Sequence, residues 1–158
     1  MREILLVAFM WLHLTVTIIW LGGIAFILLV ALPAARQILR GEAGGLMGEV
    51  TRRFSPMANL SIVFLLISGI CLMAINGNIT GDALKGGQGT AMLLKILLFL
   101  LMAGVHFFRG KVLAPRIAKT QLDGEKARLQ KSSLNLVWLN FGAGLTVLLL
   151  SAFVGAGS

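Results

Sequence analysis

Read from the first residue, the chain falls into four long apolar runs parted by polar stretches, at positions 4–32, 54–75, 91–108 and 134–154. Each is long enough for a membrane-crossing helix, which needs about 20 predominantly apolar residues. The runs are continuous and rich in leucine, whereas a lipid-facing barrel strand alternates apolar and polar positions over ~10 residues. Strands are therefore excluded, and the expected fold is all-α, an integral membrane four-helix bundle. Runs and connections consume nearly the whole chain, which predicts a single transmembrane domain over 1–158 with no separate soluble domain. The first run exceeds the ~7–15 apolar residues of a secretory signal, and no small-residue cleavage site follows it.

Glycine and proline mark the ends of the runs. Gly41, Gly44, Gly45 and Gly48 lie between the first two, and Gly77, Gly81, Gly86, Gly87 and Gly89 between the middle two, so both connections are expected to be mobile. Pro33 and Pro115 stand where the first and third helices should end or kink, and Pro56 stands in the first turn of the second, where proline is tolerated. Span, basic connection, span occurs twice. Yet nothing in the second half echoes His13 and Trp20 at matching spacing, so no duplication is inferred.

Composition changes the picture only by confirming the solvent: 58% hydrophobic and 13% charged residues leave too little polar surface for a water-soluble globule. The formal charge of +8 would suggest nucleic acid in a soluble protein, but its placement says otherwise. Arg36, Arg40, Arg52 and Arg53 lie between the first two spans, and Arg109, Lys111, Arg116, Lys119, Lys126, Arg128 and Lys131 between the last two, eleven of the fourteen basic residues. Four spans force these two connections to one side, which the positive-inside rule makes cytoplasmic. The expected location is the inner (cytoplasmic) membrane, multi-pass, with both termini and the stretch between Asn76 and Thr90 outside. The first partner is the lipid bilayer; nucleic acid is excluded. A lone Cys71 inside the second span has no disulfide partner and reads as a small core residue.

Ionisable groups in hydrocarbon are costly, roughly 2.5–3.5 kcal/mol at mid-helix on insertion scales, so they point to function. Three stand within the spans: Lys95, His13 and His106, the last two being the only histidines. On the first helix Met10, His13, Thr17, Trp20 and Gly23 recur every three or four residues and share a face. On the third, Lys95 and His106 are eleven residues, about three turns, apart, with Met102 between them. A histidine bonded to a neighbouring carbonyl, and ordinary core packing for methionine and tryptophan, are the competing readings.

Two chemistries use imidazole and thioether inside a dry helical bundle: axial ligation of haem b and coordination of copper. Met10 with His13, and Met102 with His106, are spaced to offer ligands from one helix face. At about 1.5 Å per residue His13 lies ~14 Å and His106 ~22 Å from the outer ends of their spans, so one iron shared by both is strained. Two sites follow more naturally: an outer one on His13 near the level of Lys95 and Met73, and an inner one on His106 near Met57, Asn59, Asn135 and Arg53. Lys95 has no acidic side chain in any span, so it would meet a carboxylate from outside the chain, such as a haem propionate, or itself ligate iron.

His13 followed at seven residues by Trp20-Leu21-Gly22-Gly23, then Arg52-Arg53-Phe54-Ser55-Pro56, Ser68-Gly69, Leu94-Lys95 and Pro115-Arg116, resembles the four-helix core of the copper resistance D (CopD) family over nearly the whole chain. The His13-to-Trp20 spacing, Leu32-Pro33, and Lys95 eleven residues before His106 also resemble the HemJ-type protoporphyrinogen oxidases, b-type haem proteins. That second resemblance implies His13 as a haem ligand, with Lys95 and Arg53 holding carboxylates. Asn135 stands where CopD-like chains commonly carry an acidic residue, and Arg53 to Pro56 is a shorter spacing than the oxidases show.

The reading that results is a membrane haem-b protein for electron transfer or membrane-linked oxidation, with His13, Lys95, His106, Trp20 and Arg53 around the cofactor. The alternative is copper transport or delivery, with His13, His106, Met10 and Met102 as metal ligands. A third is a non-catalytic accessory subunit of a larger respiratory or redox membrane complex. No catalytic residue is named by the sequence, and whether the chain is an enzyme is left open.

Overall fold

The computed structural model describes residues 1–76 and 86–156, and among these every regular element is helical. Four rods are long and apolar enough to cross a membrane: α1 (Arg2–Leu39), α2 (Ala43–Ile75), α3 (86–119) and α4 (Asp123–Ala156). The chain is an all-α membrane protein. Large apolar side chains stay exposed along the rods, among them Ile4, Val7, Trp11, Leu14 and Ile18 on α1, as lipid-facing surface requires. The chain divides into two compact units, Met1–Ala83 and Leu84–Ser158, each described by itself.

The rods are longer than the apolar runs that predicted them. α2 begins at Ala43 rather than at 54, and α3 continues through the basic residues to Lys119 before Thr120 turns into extended backbone. The connection expected to be mobile between Arg36 and Arg53 is instead helix, a single tight turn at Arg40–Glu42 joining α1 to α2. Gly44, Gly45 and Gly48 sit within α2 itself, where glycine costs about 1 kcal/mol against alanine but does not forbid a helix nucleated on both sides. Of the other glycine-rich connection, 77–85 lie outside the described residues, while 86–90 already belong to α3.

Neither Pro33 nor Pro115 ends its rod. A proline lacks an N–H and its ring presses on the carbonyl four residues back. In both places the helix widens just ahead of it into a π turn, Ile27–Ala31 before Pro33 and Arg109–Leu113 before Pro115. A wider turn moves the crowded carbonyl away while keeping the backbone bonded. Another π turn, Ile18–Gly22, carries Trp20. Together the two wide turns of α1 hold Val16, Trp20, Ile24 and Leu28 buried on one side, although a step of four overshoots the regular 3.6-residue turn.

In the first unit α1 and α2 run antiparallel. Arg2 Nη2 donates to the Ile75 carbonyl at 2.9 Å, so the start of α1 caps the end of α2. Farther along the pair Gly23 lies under the Phe54 ring so closely that any Cβ there would overlap it. The buried face of α2, Ala58, Ser61, Ile62, Leu65 and Ser68, follows ordinary helical spacing. In lipid, apolar contact gives little net drive to helix pairing, so close approach at small residues supplies much of the attraction.

In the second unit α3 and α4 are also antiparallel. Asn140 Nδ2 donates to the Met102 carbonyl at 3.1 Å and Arg109 Nε to Ser133 Oγ at 3.1 Å. These contacts are seven residues apart on both helices, so the pair keeps one register over two turns. Asp123 and Glu125 occupy the first turn of α4, and Arg116 and Lys119 the last of α3, each sign matching its helix dipole.

Gly23→Ala should lower stability by about 1–3 kcal/mol, because the Phe54 ring must shift. Gly22→Ala, with nothing near its Cβ, should be tolerated. Thermal unfolding of the detergent-solubilised protein checks both, and Phe54→Leu in the Gly23→Ala background should recover most of the loss.

Candidate membrane-embedded metal site

His13 sits half-buried on α1, one turn ahead of the widened Trp20 turn. Its Nδ1 lies 2.8 Å from Ser68 Oγ on α2. Ser68 is completely buried at 0% exposure, and its Oγ also lies 2.6 Å from the Phe64 carbonyl and 3.3 Å from that of Leu65. Thr17 Oγ1 donates back to the His13 carbonyl at 2.7 Å. The bare Gly69 backbone lets the ring lie close, since a Cβ there would stand 3.7 Å from His13 Cε1. The imidazole is thus clasped between α1 and α2 by one serine and one glycine.

Trp20, at 2% exposure, is among the most buried side chains. The antiparallel pairing of His13 with Ser68 and of Gly23 with Phe54 sets it level with positions 58–61 of α2. Met10, on the same stripe in sequence, is 54% exposed on the helix surface. Arg53 is exposed, its Nε bonding Glu49 Oε1 at 2.7 Å, while Arg52 grips both oxygens of the same carboxylate at 2.8 Å. Cys71 is a half-buried free thiol on α2.

In the second unit Met102 is buried at 4% exposure, and Lys95 and His106 are half-buried on the same rod. The His106 ring meets Phe107 edge-on with centroids 5.6 Å apart. Lys95 makes no ion pair or hydrogen bond among the described residues, and the carboxylates described in this unit, Asp123 and Glu125, stand at the far end of α4. Asn140, at 3% exposure, gives its amide N–H to Met102 O, yet its Oδ1 has no partner among the described residues.

Taken within each unit, the structure brings His13 to Ser68 and Met102 to Asn140. It sets Arg53 on the polar end of α2. Sequence reasoning used Ser68 only as part of a motif and passed over Asn140. The signal for both was a polar side chain inside an apolar run, which an inventory limited to ionisable groups overlooks. Among the described residues no three His, Cys, Asp or Glu side chains converge on a point.

The family model for copper resistance protein D matches residues 48–154. The chain belongs to the copper resistance protein D family. The match takes in nearly all of α2 together with α3 and α4, including Arg53, Ser68, Lys95, Met102, His106 and Asn140; α1, with Met10, His13 and Trp20, precedes it. Comparison with curated proteins and with solved structures finds no match. Membership in the CopD family makes this a copper-resistance-related membrane protein. It favours the copper reading over haem b, for which the comparisons offer nothing.

In this CopD-family chain the Asn140 amide is a test of the α3–α4 pair. Asn140→Asp removes the donor to Met102 O and introduces a charge in hydrocarbon, and should cost more than about 2.5 kcal/mol. Asn140→Leu also removes the unpaired oxygen, and should change stability by less than about 1 kcal/mol, a membrane hydrogen bond averaging ~0.6. Unfolding in mixed micelles separates the two expectations.

Proposed function

We propose that this protein binds Cu(I) within the bilayer as cargo and passes or delivers it, with His13 as the anchoring ligand. The observation that carries the reading is an imidazole clasped by Ser68 between two apolar helices, in a chain of a copper-resistance family. Cu(I) is satisfied by two or three soft donors and needs no carboxylate. Imidazole and thioether are what the spans supply: Met10 and His13 on α1, Met102 and His106 on α3. A hard divalent ion would want a converging set of oxygens. In this reading the protein lies in the inner membrane with its basic helix ends, from Arg109 to Lys131 and around Arg52, on the cytoplasmic side.

A second reading, haem b, has one observation in its favour. Lys95 stands in an apolar rod with no carboxylate near it among the described residues of its own unit, and as an ammonium it would suit a propionate brought by a cofactor. Trp20 and Arg53 would then border or bind the ring system, as the HemJ-type resemblance implies.

The protein purified in detergent should be colourless and take up Cu(I), measured by elemental analysis and by competition with a chromophoric chelator. His13→Ala should weaken Cu(I) binding by more than ~100-fold, beyond the 10–100-fold typical of losing a neighbour of a ligand. A red preparation with a Soret band that vanishes in His13→Ala would transfer the assignment to haem.

A further inference from the structure

We infer that Ser68 is a positioning residue that locks the His13 imidazole in the Nδ1–H tautomer, so that Nε2 presents its lone pair as the donor to Cu(I). The copper half of this statement rests on the function proposed above; the tautomer half rests on proton accounting alone.

Ser68 has a single hydroxyl proton and stands at the centre of two short contacts. One is to the Phe64 carbonyl at 2.6 Å, and a carbonyl can only accept. Two oxygens at that separation repel unless a proton lies between them, and the one proton available is the serine's. The second contact, 2.8 Å to His13 Nδ1, then needs a proton of its own, which must come from the ring. A neutral imidazole carries one N–H, so the lone pair falls on Nε2. The serine cannot rotate to reverse this arrangement without abandoning the Phe64 carbonyl, and at 0% exposure no solvent is present to compensate.

Further contacts hold the frame still. Thr17 Oγ1 bonds the His13 carbonyl, fixing the backbone that carries the ring. Gly69 allows the ring edge to rest beside α2 at ordinary contact distance. This is the arrangement by which a metal-binding imidazole is usually oriented, its other nitrogen donating to a fixed oxygen. Here the oxygen belongs to a neutral hydroxyl rather than a carboxylate, so this contact adds no negative charge in hydrocarbon.

The chain has two histidines, so a metal-free sample of the full protein labelled with 15N-histidine shows two imidazoles, and His106→Gln assigns them. The His13 ring should carry its proton on Nδ1, with Nε2 unprotonated. In Ser68→Ala the preference should disappear, and Cu(I) affinity should fall ~10–100-fold. Ser68→Thr, which keeps a hydroxyl able to bond the carbonyl one turn back, should restore both. A wild-type His13 protonated on Nε2 overturns the lock whatever the copper data show. A Ser68→Ala protein with altered tautomer but unchanged Cu(I) affinity overturns the positioning role. Should wild-type protein bind no Cu(I) at all, the copper reading fails by itself, while the nitrogen spectrum still decides the lock.

Discussion

Hydrocarbon offers no hydrogen-bond partner, and the form of this protein follows from that. Each backbone N–H and C=O in a span must be met within its own rod, because an unmet group costs several kcal/mol. This explains why Pro33 and Pro115 produce π turns instead of ends: unwinding would strand several groups, whereas widening keeps the ladder intact around the missing N–H. The same constraint governs the side chains. Thr17, Ser68, Thr146 and Ser151 each turn their hydroxyl back to the carbonyl four residues earlier. Asn140 reaches across to a carbonyl on the neighbouring rod.

Once hydroxyls are committed to carbonyls, they are no longer interchangeable donors and acceptors, and this makes the centre of the first unit directional. Ser68 spends its proton inside α2 and can only accept from α1. His13 is thereby oriented by a neutral hydroxyl. An ion pair would have placed a carboxylate in lipid; a hydroxyl already bonded to its own helix does the orienting without that cost. The family to which the chain belongs concerns copper, and imidazole and thioether are donor types compatible with a soft, singly charged ion in such surroundings.

Lys95 apart, the charged residues described on the rods obey the complementary rule by collecting beyond the apolar runs, on helix rather than on loop. Arg52 and Arg53 close on Glu49 one turn away, and Arg2 and Arg109 reach a carbonyl and a hydroxyl of the partner rod. The exposed contacts of Arg2, Arg52 and Arg53 contribute little to stability each. Their placement matters more, because it sets where each rod leaves the lipid.

Much of the architecture was legible in the residues. Four continuous apolar runs dictate four membrane-crossing helices, because span length and the need to close every backbone bond leave no other solution. The three ionisable residues His13, Lys95 and His106 stood out for the same energetic reason. The rod ends were misplaced by up to eleven residues, since hydropathy reports where lipid stops and not where the helix stops. Glycines at 44, 45 and 48 resembled a loop until helix on both sides carried them along. What only the tertiary structure decided is which polar groups meet: Ser68 with His13, Asn140 with Met102, Gly23 with Phe54. Those pairings join residues 31 to 55 positions apart, on helices whose rotation and register depend on packing at small residues, and no local pattern in one helix encodes the facing residue of another.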